Sequence, residues 1–308
     1  MNYLITIIGP TAIGKTALSI KLAQHFNCDI ISCDSRQFFK EMYIGTAVPN
    51  QEELSQANHH FIQNISIFEN YSVGDFEIDA LSKLDQLFKE NPVQIMVGGS
   101  GLYVDAVLKG FDEFPEIESS VRETINIKFE REGIEYLQNE LKRLDPSYYT
   151  KLVSENPQTL KNPQRMKRFV EVCQGSERPY SSFIGIRKNK RDFIPIIIGL
   201  QADREKMYER INQRVDIMMN QGLLDEVKSL YSSKTLNALQ TVGYRELFDY
   251  LDGTTTLEFS VEEIKKNTRR FAKRQMTWFN RTENTEWFDY QTDANEIISF
   301  VKTKIIFK

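Results

Sequence analysis

Cysteine and histidine are scarce in this 308-residue sequence, with three residues of each. The cysteines Cys28, Cys33 and Cys173 form no CxxC pair. An odd number of cysteines without paired spacing indicates neither a disulfide framework nor a zinc site. A low content of unpaired cysteine is typical of a protein from a reducing compartment, and we expect a cytoplasmic location.

Long apolar runs and a strong net charge are also lacking. No uninterrupted hydrophobic stretch approaches the length that crosses a membrane, and the first residues read as a strand rather than as a signal peptide. The 39 basic and 43 acidic residues leave a net charge of −4, so no overall positive field favours nucleic acid. We therefore expect no membrane partner, and any contact with RNA must come from local basic patches.

Short apolar strands alternate with helical patterns in the first hundred residues and again near residue 200. The predicted strands and the first helix are Tyr3–Ile8, Lys15–Phe26, Asp29–Cys33, Val93–Val97 and Phe193–Leu200. Between 114 and 191 the pattern changes to charged helical segments. This order predicts an α/β core with a parallel sheet flanked by helices, formed by 1–113 and 192–308, and an inserted all-helical lobe formed by 114–191.

A phosphate-binding loop lies between the first strand and the first helix. It matches GxxxxGK[ST] completely and stands in the strand, loop and helix context that this motif requires. Its residues are Gly9, Pro10, Thr11, Ala12, Ile13, Gly14, Lys15 and Thr16. Amides of such a loop converge on phosphate oxygens, the lysine adds positive charge, and the Thr16 hydroxyl can bind Mg²⁺. The core is therefore predicted to be P-loop NTPase-like.

The carboxylate that an ATP-hydrolysing enzyme needs beside this loop is missing from the obvious strand end. The strand Val93–Val97 is followed instead by Gly98-Gly99-Ser100-Gly101. Ser100 could donate to a leaving-group oxygen, although the glycines could also form only a tight turn. A carboxylate, Asp34, does follow the second strand. It could act as a base toward a nucleophile, or it could only cap the next helix.

Nine motifs resemble, in the same order, those of the tRNA dimethylallyltransferase family. They are GPTAIGKT at 9–16, SCDSRQF at 32–38, IGTA at 44–47, HHF at 59–61, YSVGDF at 71–76, GGSGLY at 98–103, NPQRMKR at 162–168, VGYR at 242–245 and KRQMTWF at 273–279. The resemblance spans nearly the whole chain. It implies transfer of a dimethylallyl group from dimethylallyl diphosphate to N6 of the adenosine 3′ of the anticodon in tRNA, with Mg²⁺ and without ATP hydrolysis.

The resemblance also implies roles for matching residues. Lys15, Thr16 and the loop amides would hold the diphosphate, and Ser100 with Arg214 would stabilise it as it leaves. Without the resemblance, Arg214 would read as an ordinary solvated helix charge. Asp34 would take the proton of the weakly nucleophilic adenine amine. The residues predicted to contact tRNA are Asp34, Ser35, Arg36, Gln37, Arg122, Gln164, Arg165, Met166, Lys167 and Arg168.

Two basic clusters are further candidates for RNA contacts. Residues 161–191 carry nine Lys or Arg against two acids, and residues 265–281 carry seven and no acid. Such clusters suit the phosphate backbone of RNA, but they are also typical of solvated helix faces. We expect the aromatic side chains Phe271, Trp278 and Phe279 in the second cluster to face the core.

Three other functions stay open on the sequence alone. A P-loop small-molecule kinase would turn over ATP, and an adenylate isopentenyltransferase would use the same donor with a free nucleotide as acceptor. A non-catalytic, nucleotide-dependent RNA-binding switch would need neither Asp34 nor Ser100. The basic lobe and its QRMKR segment favour a macromolecular acceptor. We expect a monomer that binds the anticodon stem-loop of tRNA.

Overall fold

The computed structural model describes residues 1–185 and 190–306, so Arg187 and Lys188 of the first basic cluster lie outside the described residues. The chain divides into two compact units. Residues 1–110 and 191–308 form the first, which we call the sheet unit, and residues 111–190 form the second, which we call the helical unit. The sequence pattern had set the corresponding boundaries at 114 and 191.

A parallel sheet of six strands forms the centre of the sheet unit within the described residues. Its strands are β1 (Asn2–Ile8), β2 (Ile30–Ser32), β3 (His59–His60), β4 (Val93–Val97), β5 (Phe193–Gln201) and β6 (Thr285–Asp289). Their spatial order is β3-β2-β4-β1-β5-β6. The predicted α/β class with a parallel sheet is therefore confirmed.

Helices cover both faces of this sheet. In chain order the α-helices of the described residues are α1 (Lys15–Phe26), α2 (Gln51–Gln56), α3 (Val73–Leu87), α4 (Gly101–Lys109), α5 (Ser119–Leu144), α6 (Pro146–Glu155), α7 (Pro163–Ser176), α8 (Arg204–Asn220), α9 (Leu223–Ser229), α10 (Tyr244–Leu251), α11 (Leu257–Phe279) and α12 (Ala294–Lys304). In the described part of the chain, none of them is both long and apolar enough to cross a lipid bilayer.

Alternate residues of β1 enter two different hydrophobic clusters, because successive side chains of a strand point to opposite faces. Leu4 and Ile8 join one cluster with residues of α3, α9, α10 and α11. Ile5 and Ile7 join the other with residues of α1 and α12. This double coverage explains why β1 is mainly apolar and is buried from Tyr3 to Ile8. The carboxyl ends of the strands remain as the edge where a ligand can enter.

The helical unit contains α5, α6 and α7 around its own hydrophobic cluster. α5 is interrupted at Gly133, whose φ of 71° favours glycine. Leu137 and Leu141 of α5 and Met166 of α7 are fully buried in this cluster. The side of α7 that is not buried carries Arg165, Lys167 and Arg168.

Candidate active site at the carboxyl edge of the sheet

The phosphate loop joins β1 to α1 and turns sharply at two positions with left-handed backbone. Ala12 has a φ of 63° and Gly14 a φ of 108°. Lys15 Nζ donates to the carbonyl oxygens of Gly9 at 3.0 Å and Pro10 at 2.8 Å. A side chain at Gly9 is excluded, since its Cβ would lie 2.6 Å from the carbonyl oxygen of Leu200. The loop is therefore closed around its own lysine.

The Lys15 ammonium sits in an environment that disfavours its charge. Burial lowers the pKa of Lys15 to about 8, the charge of Asp34 opposes this shift, and the charge of Arg214 adds to it. A bound anion would favour the charged form again. The loop thus contains a cation whose protonation is coupled to the occupancy of the site.

Gln275 of α11 joins the phosphate loop to the glycine turn that follows β4. Its side chain is only 6% exposed. Gln275 Oε1 accepts from the Thr11 amide at 2.9 Å, and Nε2 donates to the Gly99 carbonyl at 2.8 Å. A Cβ at Gly99 would collide with Gln275, and one at Gly98 would lie 2.5 Å from Cys33 Sγ. These glycines therefore allow β2, β4 and α11 to approach one another at the site.

The residues that follow β2 and β4 meet beside the phosphate loop. Ser100 Oγ accepts from the Ser35 amide at 3.1 Å and lies 3.0 Å from Ser35 Oγ. Asp34 Oδ1 accepts from the Arg36 amide at 3.2 Å. Within residues 1–185 and 190–306, no group donates a hydrogen bond to Asp34 Oδ2. Asp34 therefore keeps free lone pairs at the point where the two strand ends converge.

Arg36 and Gln37 are engaged by backbone carbonyls. Arg36 Nη1 donates to the carbonyls of Asn237 and Ala238 at 3.2 and 3.0 Å. Gln37 Nε2 donates to the carbonyls of Thr46 and Ala47 at 3.2 and 2.9 Å, while Gln37 Oε1 accepts from Ser32 Oγ at 3.3 Å. Both N–H groups of the Gln37 amide are thus used, and what remains for a ligand is a lone pair on Oε1.

Two arginines of α8 lie against the phosphate loop. Arg214 Nη1 is 3.5 Å from Thr11 Oγ1, and Arg210 Nε donates to the Ala12 carbonyl at 2.9 Å. Residues four positions apart share one helix face, which places both guanidinium groups on the same side. Arg210 was not among the predicted site residues, although its spacing from Arg214 was a usable signal.

Two cavities meet at this edge of the sheet. Both are lined by Thr11, Asp34, Thr46 and Arg214. The smaller cavity, of about 370 Å³, also contains Lys15 and Thr16. The larger cavity, of about 490 Å³, also contains Ser35, Ser100 and apolar side chains of α4, α8 and α11. Asp34 and Arg214 therefore border a compartment of mixed polarity, which contains the phosphate loop, and a mainly apolar one.

Two aromatic side chains expected in the core line the larger cavity instead. Phe279 is fully buried, as predicted, but Phe271 and Trp278 are each 38% exposed and border the cavity. Trp278 Nε1 donates to Asp105 Oδ2 at 2.8 Å, and its ring lies against Gly101. The helical period gave the correct inward face of α11, but part of that face meets a cavity rather than packed side chains.

The predicted tRNA contacts of the helical unit lie on α5 and α7. Gln164 and Arg165 are exposed, and Lys167 and Arg168 are half-buried. Arg122 and Arg168 both bind the carboxylate of Glu171, at 2.8 and 3.0 Å. Met166 is fully buried, which leaves its side chain no surface for a contact with RNA. Three groups, the side chains of Gln164, Arg165 and Lys167, remain without a carboxylate partner in the described residues.

Comparison with known proteins decides the family. The model of the IPP transferase family matches residues 37–282. This chain belongs to the IPP transferase family. It is 70% identical over 301 residues to the tRNA dimethylallyltransferase of Flavobacterium johnsoniae, covering 98% of this chain and 97% of that protein. It is 68% identical over 305 residues to that of Flavobacterium psychrophilum, covering 99% of each.

Solved structures of IPP transferases show the same fold. The full-length tRNA isopentenylpyrophosphate transferase of Bacillus halodurans superposes with a TM-score of 0.72 at 34% identity, covering 99% of this chain and 97% of that one. A eukaryotic dimethylallyltransferase acting on tRNA superposes with a TM-score of 0.82 at 25% identity, covering 100% of this chain and 81% of that one. The family predicted from the motifs is confirmed, and with it the class of prenyl-transferring enzyme.

Proposed function

We propose that this chain transfers the dimethylallyl group of dimethylallyl diphosphate to N6 of the adenosine that lies 3′ of the anticodon in tRNA, and releases pyrophosphate. The observation that carries this proposal is the meeting of the two cavities at Asp34. One cavity offers a phosphate loop, and the other offers an apolar space for a planar base. The names of the similar proteins support the same donor and the same acceptor.

In this proposal the smaller cavity holds the diphosphate. Lys15 and the loop amides would contact its oxygens, and Arg210 and Arg214 would add positive charge from α8. Charge develops on the diphosphate as its bond to the allylic carbon breaks, so fixed cations and amides stabilise the transition state more than the ground state. The family resemblance supports a direct role for Lys15 and Arg214 in this step.

The proposed cofactor is Mg²⁺, bound through Thr16. The Thr16 hydroxyl lines the smaller cavity next to Lys15, which suits a cation that also binds phosphate oxygens. No group of three or more His, Cys, Asp or Glu in the described ranges could hold a metal, and a cation bound mainly by water and substrate oxygens needs none. When bound, Mg²⁺ supplies neutralisation of the diphosphate charge.

The adenine amine would enter from the larger cavity and meet the allylic carbon near Asp34. As the new N6–C bond forms and the C–O bond breaks, N6 loses a proton, and the free Oδ2 of Asp34 is the acceptor that we propose. Gln37 Oε1 would accept a hydrogen bond from the amine. Ser100, whose Oγ accepts from the Ser35 amide, would donate to the departing oxygen.

The tRNA would be bound through its anticodon stem-loop. We assign the phosphate contacts of the helical unit to Arg165 and Lys167, with Gln164 beside them. Arg122 and Arg168 would contribute less, because Glu171 partly neutralises their charge. We propose that the active form is a monomer. The three buried, free cysteines fit the cytoplasmic location that belongs to this proposal.

The test is transfer of label from radiolabelled dimethylallyl diphosphate to unmodified tRNA in the presence of Mg²⁺. We expect labelled tRNA with the wild type, none with Asp34→Ala, and none with a tRNA that has guanosine in place of the target adenosine. Label on free AMP would instead assign an adenylate isopentenyltransferase. Phosphate transfer from ATP without any prenyl transfer would assign a kinase and contradict the proposal.

A further inference from the structure

A single carboxylate holds the turn formed by residues 43–47. Glu226 of α9 accepts hydrogen bonds from three successive amides of this turn. Tyr43 and Ile44 donate to Oε2 at 3.0 and 2.7 Å, and Gly45 donates to Oε1 at 3.0 Å. The hydroxyl of Tyr244 also donates to Oε1, at 2.6 Å. Each oxygen of Glu226 thus receives two donors, which leaves this carboxylate fully satisfied.

Tyr244 sets how closely the turn can approach. Its side chain is fully buried, and a Cβ at Gly45 would lie 2.5 Å from Tyr244 Cε2. Burial first, and the charge of Glu226 second, raise the pKa of Tyr244, so its hydroxyl stays protonated and keeps donating. The contact between ring and backbone explains why residue 45 must be glycine, and it fixes the turn on the side of Glu226.

The other side of the same turn faces the active site. The carbonyls of Thr46 and Ala47 accept both N–H groups of the Gln37 amide. The Gln37 backbone amide in turn donates to the carbonyl of Asp34 at 3.0 Å. Thr46 also lines both cavities. A continuous series of hydrogen bonds therefore runs from Glu226 through the turn to Gln37 and the Asp34 backbone.

We propose that Glu226 is a positioning residue for the acceptor base, which acts through the 43–47 turn on Gln37. This inference rests on the proposed function, because that function assigns Gln37 to the adenine. Three successive amides and a hydroxyl point at one carboxylate, and without an anionic acceptor their dipoles repel. The turn would then open and release the Gln37 amide from its two carbonyls. The phosphate loop is fixed by other groups, Gln275 and Arg210, and should keep its shape.

The variant Glu226→Gln tests this inference, because it keeps the size of the side chain and replaces one acceptor oxygen with a donor. We expect the KM for tRNA to rise by about tenfold, the size of effect that follows when a hydrogen-bonded charged group loses a partner. The KM for dimethylallyl diphosphate should change by less than about twofold, since the donor site is held separately. Asp225→Asn is the matched control. Asp225 is the neighbouring acid on α9, is 81% exposed and is paired with Lys228 at the surface, so its variant should behave as wild type.

A mutant cycle with Gln37→Ala separates positioning from a general loss of structure. If Glu226 acts through Gln37, Glu226→Gln should change the KM for tRNA by less than about twofold in the Gln37→Ala background. Amide hydrogen exchange should accelerate in residues 43–47 of Glu226→Gln and stay unchanged in residues 9–16. Effects that multiply independently, or a parallel rise of both KM values, would overturn the inference.

Two further results bear on the role of Glu226: a variant that does not fold, and a wild type that does not label tRNA. If Glu226→Gln does not fold, Tyr244→Phe removes one of the four donors and keeps the ring against Gly45; it should raise the KM for tRNA by about two- to threefold, and an unchanged KM overturns the inference. If the wild type labels no tRNA, the proposed function fails, and the inference fails with it. A wild type that labels tRNA beside an unaffected Glu226→Gln overturns the inference alone.

Discussion

Asp34 and Glu226 are half-buried carboxylates whose oxygens have very different surroundings. Glu226 receives four donors, shared evenly between its two oxygens. Asp34 receives one amide at Oδ1, and in the described part of the chain its Oδ2 receives none. Burial is similar, so the number of donors is what distinguishes the carboxylate that stabilises a turn from the one that we propose as the base. The same criterion orders the expected effects of substitution.

The largest effect is expected from Asp34→Asn, which keeps the shape of the side chain and removes its basicity. If Asp34 accepts the N6 proton, kcat should fall by about 10²- to 10⁴-fold. The KM for tRNA should change little, and the free energy of unfolding should change by less than about 1 kcal/mol, because few contacts are lost. Single-turnover transfer of label measures the chemical step. A rate close to wild type would mean that Asp34 only orients the amine.

A smaller effect is expected when a new carboxylate is placed beside the phosphate loop. In Gln275→Glu one oxygen can still accept from the Thr11 amide, but the other faces the Gly99 carbonyl, which can only accept. We expect kcat/KM for the donor to fall by about 10- to 100-fold, the range that corresponds to about 1–3 kcal/mol for an unsatisfied buried group.

Thr277→Glu is the matched control for this change. It adds the same charge two residues further along α11, at an exposed position. Its kcat/KM for the donor should stay near wild type. An equal loss in both variants would show that added negative charge, and not the broken link between Thr11 and Gly99, lowers the activity.

The phosphate loop and the parallel sheet could be predicted because each depends on local sequence. The loop is eight contiguous residues, and both α1 and β4 have the predicted bounds. The links between loops could not be predicted in the same way. Thr11 and Gln275 are 264 positions apart, and Tyr43 and Glu226 are 183 apart. A periodic pattern shows which face of a helix is apolar, but not which distant backbone group its polar side chains will meet.

The partial error on α11 has the same origin. An apolar stripe predicts that Phe271, Trp278 and Phe279 pack in the core, but only Phe279 does, while Phe271 and Trp278 border the larger cavity. Whether the inward face meets packed side chains or a cavity depends on the neighbouring elements, here α4 and the glycine turn after β4. Functional cavities are lined by the same residue types as cores, so composition alone does not separate the two.

A third effect concerns protons rather than rate. The pKa of Lys15 is lowered from 10.5 to about 8, so between these pH values the folded protein binds fewer protons at this site than the unfolded chain. The contribution of Lys15 to the free energy of unfolding therefore rises as the pH increases from about 8 to 10.5. A bound diphosphate reverses the shift, since its charge favours the ammonium.

Calorimetry of pyrophosphate binding near pH 9, in two buffers with different ionisation enthalpies, measures this coupling. We expect the wild type to take up protons when it binds pyrophosphate, with about one proton as the upper limit. Lys15→Arg keeps the positive charge but does not titrate in this range, and it should take up much less. Equal uptake by both proteins would place the titrating group elsewhere.

The smallest effect is expected in the helical unit. There the comparison is between arginines that have an acidic partner and an arginine that has none in the described residues. Arg122 and Arg168 share Glu171, whereas Arg165 donates to the neutral Thr159 hydroxyl and has no acid partner in the described residues. Arg165→Ala should weaken tRNA binding by a few fold and lower the slope of log K against log salt by about 0.7 to 0.9, the value for one phosphate contact.

Arg143→Ala is the control for Arg165→Ala, because Arg143 is also exposed in the helical unit but is paired with Glu140 at 2.8 Å. Removing an arginine that is already neutralised releases no phosphate contact, so the salt slope should not change. Equal changes in both variants would mean that the ion pair opens to bind RNA. The number of ion-pair partners in the free protein would then not show which basic side chains contact tRNA. The number of hydrogen-bond donors would still distinguish Asp34 from Glu226.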